Sequence, residues 1–263
     1  MSTTPGAYLL RPISKPQATH RLVCLPWAGA GPGVYNQWAR ELPAEVDLIT
    51  VVLPGRAERR HEAPAHTVDL MAEQIALELL VTYGEVEWLA LIGHSLGALI
   101  AFDVATRLRC HDTSLDGVIV SGSRAAHVDP PVELHELPDY DLVDALIELG
   151  GLNPDLRYDA AFLRRVLPRV RADLTASELY RPSPNVAHLA EGCRLHAWAG
   201  VTDWYAPPTV VQAWSELAAD TQPRTFDGDH FFIKDLSVRT VLAALGWPHD
   251  TVQPSPTTLE RAA

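Results

Sequence analysis

The sequence predicts an α/β fold with a mostly parallel central sheet and helices on both faces. Short apolar runs that are typical of buried strands recur along the chain, at 21–25, 48–53, 88–92, 118–120, 195–199 and 224–226. Helical patterns lie between and after them, at 35–42, 68–83, 96–108, 210–217 and 236–245. Because strands and helices alternate, each crossover helix is expected to connect parallel neighbours.

The composition indicates one globular domain. The chain has 263 residues, of which 47% are hydrophobic and 21% charged, with 7 Trp, so there is enough apolar material for a sizeable core. Folds of the α/β class at this length are commonly single domains. We expect an N-terminal extension at 1–20, the α/β domain at 21–247 and a disordered, proline-rich tail at 248–263.

One interval, 128–189, interrupts the alternation of strands and helices. Its spacing favours helices at 140–149 and 160–178 and gives no convincing strand. Helices inserted after a central strand often cover the mouth of an active site. We therefore predict a helical lid insertion at 128–189.

Charge, cysteine content and hydropathy exclude several classes of protein. A formal net charge of -12 disfavours nucleic acid as a partner, because phosphate contacts require clustered Lys and Arg. The 3 cysteines are too few and too scattered for a disulfide framework, which favours a reducing cytoplasm. No apolar run has the length of a signal peptide or of a membrane helix. We expect a cytoplasmic monomer with neither a membrane nor a nucleic-acid partner.

A strand, a sharp turn and a helix surround the motif Gly-x-Ser-x-Gly at 93–97. In α/β-hydrolases this turn lifts the serine out of the sheet, and the two glycines leave room for the neighbouring elements. The bare pattern also occurs in ordinary turns, but here a predicted strand runs directly into it and a helix follows. We therefore predict an α/β-hydrolase fold with Ser95 as the nucleophile.

The base should lie far downstream of Ser95. A serine hydroxyl is a weak nucleophile at neutral pH and needs an imidazole to accept its proton, and this fold orders the triad as serine, acid, histidine. Of the 11 histidines, only His230 and His249 follow the last predicted strand. We predict His230, because it occupies a turn before the final helix, whereas His249 lies in the tail. His196 inside a strand is expected to be structural, and His94 to point elsewhere.

The acid should be a carboxylate in the loop after the strand that precedes the base. Asp203 follows the predicted strand at 195–199 and precedes Ala206-Pro207-Pro208, so it could orient the imidazole. Asp227 and Asp229 are alternatives, but residues so close to His230 along the chain rarely reach the far nitrogen of its ring. We predict Asp203 as the acid.

Acyl transfer also needs backbone N–H groups that stabilise the developing oxyanion. One donor is expected at Leu96, directly after the nucleophile. The second is expected in the glycine-rich loop after the first strand, at Ala28, with Trp27 as the alternative. The loop does not match a phosphate-binding motif. It lacks the Walker lysine, and the third glycine of a Gly-x-Gly-x-x-Gly motif would fall on Val34.

No metal site and no cofactor site is predicted. The segment 61–66 is similar to a zinc-protease motif, but His61 and His66 are five positions apart instead of four, and Pro64 would disrupt the helix. Clustered arginines stand out in an acidic protein, and although most such clusters are solvated faces, they could receive an anionic partner. They are Arg56, Arg59, Arg60, Arg164, Arg165, Arg169 and Arg171.

Taken together, these residues resemble a known family, the stand-alone type II thioesterases that accompany polyketide synthases and nonribosomal peptide synthetases. The resemblance covers about 22–232 and is far more specific than the serine motif alone. Besides 93–97 it includes Cys24-Leu25-Pro26-Trp27-Ala28-Gly29, Leu53-Pro54-Gly55-Arg56, Leu137-Pro138-Asp139, Leu149-Gly150-Gly151, Leu167-Pro168-Arg169-Val170-Arg171-Ala172-Asp173, Tyr180-Arg181-Pro182 and Gly228-Asp229-His230-Phe231-Phe232.

The resemblance implies hydrolysis of acyl groups from the phosphopantetheine arm of acyl or peptidyl carrier proteins, chiefly to clear aberrant or stalled chains. It places the triad on Ser95, Asp203 and His230, in agreement with the placement above. Because carrier proteins are usually acidic, the arginine clusters become candidates for docking. The alternatives are a general carboxylesterase or fatty-acyl thioesterase, an acyltransferase with the same triad, and a non-catalytic receptor of the same fold.

Overall fold

A computed structural model describes residues 8–83, 86–111, 113, 115–183, 189 and 193–247. The predicted disordered tail at 248–263, with His249, lies outside the described residues. Within them, seven strands form one sheet. They are β1 (Leu9–Leu10), β2 (His20–Leu25), β3 (Val46–Val51), β4 (Trp88–His94), β5 (Gly117–Ser121), β6 (Leu195–Gly200) and β7 (Thr221–Phe226).

The sheet is mostly parallel, as predicted. Its order is β1-β3-β2-β4-β5-β6-β7, and only the pair of β1 with β3 is antiparallel. The strand ends are in register, with Leu25 opposite Gly93, His94 opposite Ser121, and Gly200 opposite Phe226. The loops that follow β2, β4, β5, β6 and β7 therefore emerge at one edge of the sheet, where ligands bind in folds of this class.

Seven α-helices surround the sheet within the described residues. They are α1 (Asn36–Glu41), α2 (Val68–Tyr83), α3 (Leu96–Cys110), α4 (Asp139–Glu148), α5 (Ala160–Glu178), α6 (Pro208–Gln212) and α7 (Val238–Ala244). Short 3-10 turns connect or extend these helices, at Pro32–Tyr35, Ala57–Arg59, Leu134–Glu136, Pro154–Leu156, Ala213–Glu216 and Phe232–Asp235. None of the described helices combines the length and apolar character that a bilayer crossing requires.

Alternation along the strands divides the core between the two faces of the sheet. On β2, Val23 packs into the cluster that contains Phe102 of α3, whereas Leu22 packs into the cluster that contains Trp38 of α1. Phe102 is fully buried, and burying a side chain of this size contributes about 1.5–3 kcal/mol to folding. The chain thus forms the two-faced, covered sheet that the strand pattern predicts.

The segment 128–189, called the insert below, lies between β5 and β6 and carries α4 and α5. In its described part there are helices and turns but no strand, as the spacing predicts. It has an apolar cluster of its own, which includes Leu142 of α4 and Leu174 of α5. Ala28 and Phe231, from the loops after β2 and β7, pack against this cluster. The insert therefore contacts the sheet edge where the loops emerge.

The sequence patterns missed or misplaced elements at the sheet borders. The edge strand β7 begins at Thr221, three residues before the predicted start at 224. The pattern misses these first residues because most of the strand is exposed and shows no apolar run. It also contains Pro223, which edge strands tolerate. The other edge strand, β1, has only two residues and was not predicted. The helix predicted at 210–217 is divided into α6 and the 3-10 turn Ala213–Glu216.

Candidate active site

Ser95 occupies a strained turn between β4 and α3. Its backbone has φ 54° and ψ -119°, and among the described non-glycine residues only Ala57 shares a positive φ. Such a conformation costs about 1–3 kcal/mol and persists only where the surroundings enforce it. Here the N–H of Ser95 donates to the carbonyl of Ser121 at 2.8 Å, which ties the turn to β5. Ser95 is nearly buried, at 8% exposure.

The two glycines of the motif permit backbone contacts that a side chain would block. A Cβ on Gly93 would lie 1.9 Å from the carbonyl oxygen of Gly97, and a Cβ on Gly97 would lie 2.1 Å from that of Leu25. Real Cβ atoms do not approach this closely, so both positions require glycine. The approach to Leu25 also brings the start of α3 beside the loop that follows β2.

His230 and Asp203 form a buried, hydrogen-bonded pair. The Nδ1–H of His230 donates to Oδ2 of Asp203 at 2.8 Å, because an ionised carboxylate can only accept. This tautomer leaves Nε2 of His230 as the acceptor. The other oxygen of Asp203 accepts the backbone N–H groups of Tyr205 at 3.0 Å and Ala206 at 2.9 Å. The carboxylate is thus fixed on both sides and can hold the imidazole in one orientation.

Asp229, one of the alternative acids, has a role in local structure. Asp229 accepts the backbone N–H of Phe231 at 2.8 Å and so stabilises the turn that carries His230. The ring of His230 donates its hydrogen bond to Asp203, the residue that the sequence favours. Asp203 is in the loop after β6 and His230 in the loop after β7, so neighbouring parallel strands bring them together.

Ser95 lies at the same edge, in a narrow cavity that Tyr205 also lines. Other residues of this cavity include Gly122, Ser123, Arg124 and Ser177. The ring of Tyr205 packs edge-on against His230, with 5.5 Å between ring centroids. The structure therefore gathers all three predicted triad residues at one edge of the sheet.

Two other buried histidines, both on strands of the sheet, are structural. His94 is fully buried, its Nδ1 lies 3.0 Å from the Ser121 hydroxyl, and its ring lies 5.1 Å from that of His230. Burial, and secondarily the nearby His230, lowers the pKa of His94 well below its usual value. Burial also lowers the pKa of His196, to about 4. Both rings are therefore neutral at neutral pH and support the packing.

The loop after β2 turns sharply at Gly29. The N–H of Ala30 donates to the carbonyl of Trp27 at 3.1 Å, and Gly29 has φ 77°, as the third position of a type II turn requires. Because the amides of Gly29 and Ala30 are engaged with Asp173 and Trp27, the amides of Ala28 and Trp27 remain the loop's candidates for an oxyanion site. Leu96 begins α3, so its N–H has no acceptor within the helix.

Three polar residues around the site escaped the sequence patterns. Glu178 of α5 is buried and accepts the hydroxyl of Tyr205 at 2.8 Å. Burial, followed by the Glu178 carboxylate, raises the pKa of Tyr205 well above its usual value, so the hydroxyl stays protonated. The guanidinium of Arg124 is buried and donates to the carbonyls of Ser177 and Tyr180. The only sequence signal was the position of Tyr205, two residues after Asp203.

An apolar pocket of about 260 Å³ lies between the loop after β2 and the insert. Phe231, the neighbour of His230, forms part of its wall. The other lining residues are mostly apolar: Trp27, Ala28, Gly29, Ala30, Val34, Leu146, Gly151, Leu152, Phe162, Leu163, Val166, Leu167, Arg169 and Val170. An acyl chain could therefore lie against the insert while its carbonyl group is near Ala28.

The arginines singled out in the sequence differ sharply in exposure. Arg56 and Arg59 are each only 3% exposed and pair with Asp173 and Glu62. They are part of the interior and cannot dock a partner. Arg169 and Arg171, half-buried, donate to neighbouring carbonyls. The exposed members of the set are Arg60, Arg164 and Arg165.

Comparisons with a family model, with related sequences and with solved structures show which proteins this chain resembles. The thioesterase domain model matches residues 20–244. The thioesterase PikA5 of Streptomyces venezuelae is 33% identical over 239 residues, which cover 89% of this chain and 83% of PikA5. Among solved structures, YbtT, a type II thioesterase from the yersiniabactin NRPS/PKS biosynthetic pathway, has a TM-score of 0.81 at 30% identity and covers 93% of this chain and 100% of YbtT.

RedJ, a thioesterase from the prodiginine biosynthetic pathway in Streptomyces coelicolor, is similar to a comparable extent. It is 35% identical with a TM-score of 0.78, over 93% of this chain and 94% of RedJ. The family model and the relatives thus agree along nearly the whole α/β domain. This chain belongs to the thioesterase family and is an enzyme of the type II thioesterase kind.

Proposed function

We propose that this enzyme hydrolyses acyl groups from the phosphopantetheine arm of acyl or peptidyl carrier proteins. In doing so it would remove aberrant or stalled chains in polyketide or nonribosomal peptide biosynthesis. The observation that carries the chemistry is the buried pair of His230 and Asp203 at the sheet edge where Ser95 stands. The relative YbtT, a type II thioesterase from an NRPS/PKS biosynthetic pathway, supports the substrate class.

The proposed reaction begins at Ser95. Its Oγ attacks the thioester carbonyl carbon, and Nε2 of His230 accepts the hydroxyl proton. The imidazolium that forms is stabilised by the Asp203 carboxylate. The C–S bond then breaks, His230 returns the proton to the leaving thiol, and the acyl group remains on Ser95. Water repeats the sequence and releases the carboxylic acid, which restores the Ser95 hydroxyl.

Backbone donors stabilise the tetrahedral intermediate in this proposal. Its oxyanion would accept the N–H groups of Leu96 and Ala28, with Trp27 as the alternative second donor. One donor of this kind contributes about 3–4 kcal/mol to transition-state stabilisation. Two features support the assignment: the start of α3 is in direct contact with Leu25, and the amides of Gly29 and Ala30 have other acceptors.

The insert is proposed to act as a lid over the acyl chain. Its helix α5 walls the apolar pocket beside Ala28 and Phe231, so an acyl chain there would be shielded from water. The proposed lid requires no metal and no cofactor, and the triad chemistry uses none.

We propose that the enzyme works as a cytoplasmic monomer. Its three cysteines, Cys24, Cys110 and Cys193, are free thiols, which fits a reducing compartment.

Docking of the carrier protein is proposed at the exposed face of α5. Both proteins are expected to be acidic, since this chain has a formal net charge of -12, so a local basic patch must bring them together. Arg164 and Arg165 are exposed on α5, and Arg60 is exposed in the turn after β3. The α5 pair is favoured because Leu163 and Leu167, on the same helix, line the apolar pocket.

The test compares three substrates that carry one acyl group: a carrier-protein thioester, a short-thiol thioester and a simple ester. We expect the wild type to prefer the carrier thioester, and Ser95→Ala to lose rate by about 10⁴ or more. The control Ser215→Ala changes an exposed serine and should leave the rate unchanged.

Other outcomes would replace this proposal. Equal rates on the ester and the carrier thioester would identify a general esterase. Product formed on an added nucleophile instead of water would identify an acyltransferase. Full activity of Ser95→Ala would show that Ser95 is not the nucleophile.

A further inference from the structure

A carboxylate of the insert binds the loop that follows β2. Asp173 of α5 is almost completely buried, and its Oδ2 accepts the backbone N–H of Gly29 at 2.7 Å. Its Oδ1 accepts Nη2 of Arg56 at 2.7 Å. The two partners are separated from Asp173 by more than a hundred positions along the chain. A residue of the insert thus makes a direct, charge-assisted contact with the loop that carries Ala28.

Two arginines hold the same loop by its carbonyl groups. Nη1 of Arg56 donates to the carbonyl of Ala30 at 2.9 Å. Nη2 of Arg169 donates to the carbonyl of Gly29 at 3.1 Å. Asp173, Arg56 and Arg169 therefore bind the loop on both its donor and its acceptor groups, which leaves little freedom for the peptide between Ala28 and Gly29 to rotate.

Packing adds to this restraint. A Cβ on Gly29 would lie 2.8 Å from Cγ2 of Val170, one helical turn before Asp173. The loop therefore lies directly against α5 and cannot move toward it. Because Arg56 and Asp173 are each at most 3% exposed, water does not compete for their hydrogen bonds. A buried ion pair of this kind fixes geometry even where its net contribution to stability is small.

We propose that Asp173 is a positioning residue for the oxyanion site. By holding Gly29 N–H and Arg56 together, its carboxylate sets the orientation of the preceding backbone N–H, that of Ala28, toward the developing oxyanion. The insert is then part of the catalytic apparatus and more than a cover. This inference rests on the proposed function, since that function assigns the oxyanion contact to Ala28.

The experiment uses Asp173→Asn, which keeps the shape of the side chain and removes its charge and one acceptor. The matched control is Asp103→Asn, because Asp103 is also a buried carboxylate that binds an arginine, Arg107, and a second donor, the hydroxyl of Tyr180. Both variants are expected to lose stability. Steady-state rates are measured on the carrier thioester well below the melting temperature of each variant.

For Asp173→Asn we expect kcat to fall about 10- to 100-fold with KM nearly unchanged. A misplaced donor reduces the stabilisation of the transition state and leaves substrate binding as it was. Affinity for a trifluoromethyl ketone with the same acyl chain, which forms a tetrahedral adduct on Ser95, should fall by the same factor. Deuterium uptake by the peptide covering 25–31 should rise. Asp103→Asn should keep its kcat and its ketone affinity.

A second variant covers the case in which Asp173→Asn does not fold. Arg56→Lys keeps a positive charge beside Asp173 but loses the planar fork that reaches Ala30, so kcat should fall about 5-fold or more. If kcat and ketone affinity of the folded Asp173 or Arg56 variant equal those of Asp103→Asn, the inference is overturned. Loss of Ser95 dependence, by contrast, would overturn the proposed function and leave the loop contact as structure alone.

Discussion

The carboxylate of Glu178 accepts the hydroxyl of Tyr205 at 2.8 Å, and this contact joins the insert to the loop that carries Asp203. Oε1 of Glu178 also accepts the backbone N–H of Leu134 at 3.1 Å, and Oε2 accepts that of His135 at 3.0 Å. One buried side chain thus connects three segments around the cavity of Ser95. Glu178 is the last residue of α5, so this contact lies at the C-terminal end of the helix, after Asp173.

Removing the charge of Glu178 should destabilise the fold. In Glu178→Gln an amide NH2 would face donors that it cannot accept, and an unsatisfied buried group costs about 1–3 kcal/mol. For a domain of this size we expect the melting temperature to fall by about 3–10 °C. Tyr205→Phe removes only one donor and should cost less. The exposed Glu133→Gln is the control, and a melting temperature for Glu178→Gln equal to that of this control would contradict the expectation.

The motif glycines should differ in tolerance from another glycine nearby. Gly97→Ala places a Cβ 2.1 Å from the carbonyl oxygen of Leu25, so either the start of α3 or the loop after β2 must shift. We expect loss of stability by about 3 kcal/mol or more, or failure to fold. Gly31→Ala is the matched control, since nothing lies within 4 Å of its Cβ position. Chemical denaturation of both variants measures their free energies of unfolding. A wild-type stability of Gly97→Ala would contradict the expectation.

How far the sequence alone predicts this molecule depends on the range of the signals. The strand, turn and helix around Ser95 are local patterns, so the fold class and the proposal of Ser95 as the nucleophile both follow from them. The proposal of Asp203 and His230 as acid and base follows from the order of the triad in this fold and from the parallel strands that carry these residues. In the structure the imidazole of His230 is hydrogen-bonded to the carboxylate of Asp203, and their roles in a triad stay a prediction.

The remainder depends on contacts between distant parts of the chain. Arg56 has the sequence context of a solvated arginine, and only the position of Asp173 in the folded chain explains its burial. Likewise, Glu178 looks like an ordinary polar helix residue until Tyr205 is placed beside it. Edge strands such as β7 lack an apolar run because one side faces solvent. Local patterns cannot supply such pairings.

Stability should depend on pH through His196. Burial, and secondarily Arg194, lowers the pKa of His196 from 6.5 to about 4. Between these values the unfolded chain binds a proton that the folded chain does not, so stability is fully present above about pH 6.5 and falls as the pH approaches 4. The contribution is about 1–3 kcal/mol.

The variant His196→Gln cannot titrate and should lose less stability than the wild type between pH 7 and pH 4.5, as measured by urea denaturation. Part of the pH dependence should remain, because the pKa of the buried His94 is also lowered. His66→Gln, at an exposed position, is the control. An equal loss of stability in His196→Gln and in wild type would show that His196 does not contribute.

Charge reversal on α5 should affect only the carrier-bound substrate. In the double variant Arg164→Glu and Arg165→Glu, we expect KM for the carrier thioester to rise about 10-fold, since rim charges govern encounter with an acidic partner. The short-thiol thioester should be hydrolysed as before. The effect should shrink as salt is added.

Two further reversals make that result specific. Arg60→Glu tests the remaining exposed arginine of the clusters named from the sequence. Arg239→Glu, at an exposed position of α7, is the control on a different layer of the fold. A rise of KM in Arg60→Glu alone would move the docking surface to the turn after β3. Equal KM values in all variants would mean that neither arginine patch receives the carrier.

The last prediction separates the two aspartates near His230. Asp203→Asn keeps an oxygen for the backbone amides of Tyr205 and Ala206, but its amide group would face Nδ1 of His230 and favour the wrong tautomer. We expect kcat to fall by about 10³–10⁴ with little change in KM, because orientation of the base is needed for the chemical step. Folding should be retained, which circular dichroism can verify.

Asp229→Asn is the matched variant, because it lies next to His230 and can still accept the N–H of Phe231 through its remaining oxygen. Its kcat should remain within about threefold of wild type, since no transition-state contact is lost. If instead Asp229→Asn lost activity and Asp203→Asn kept it, the acid would have to be reassigned. The hydrogen bond between Asp203 and His230 would then be a packing contact, and the orientation of the imidazole would need another source.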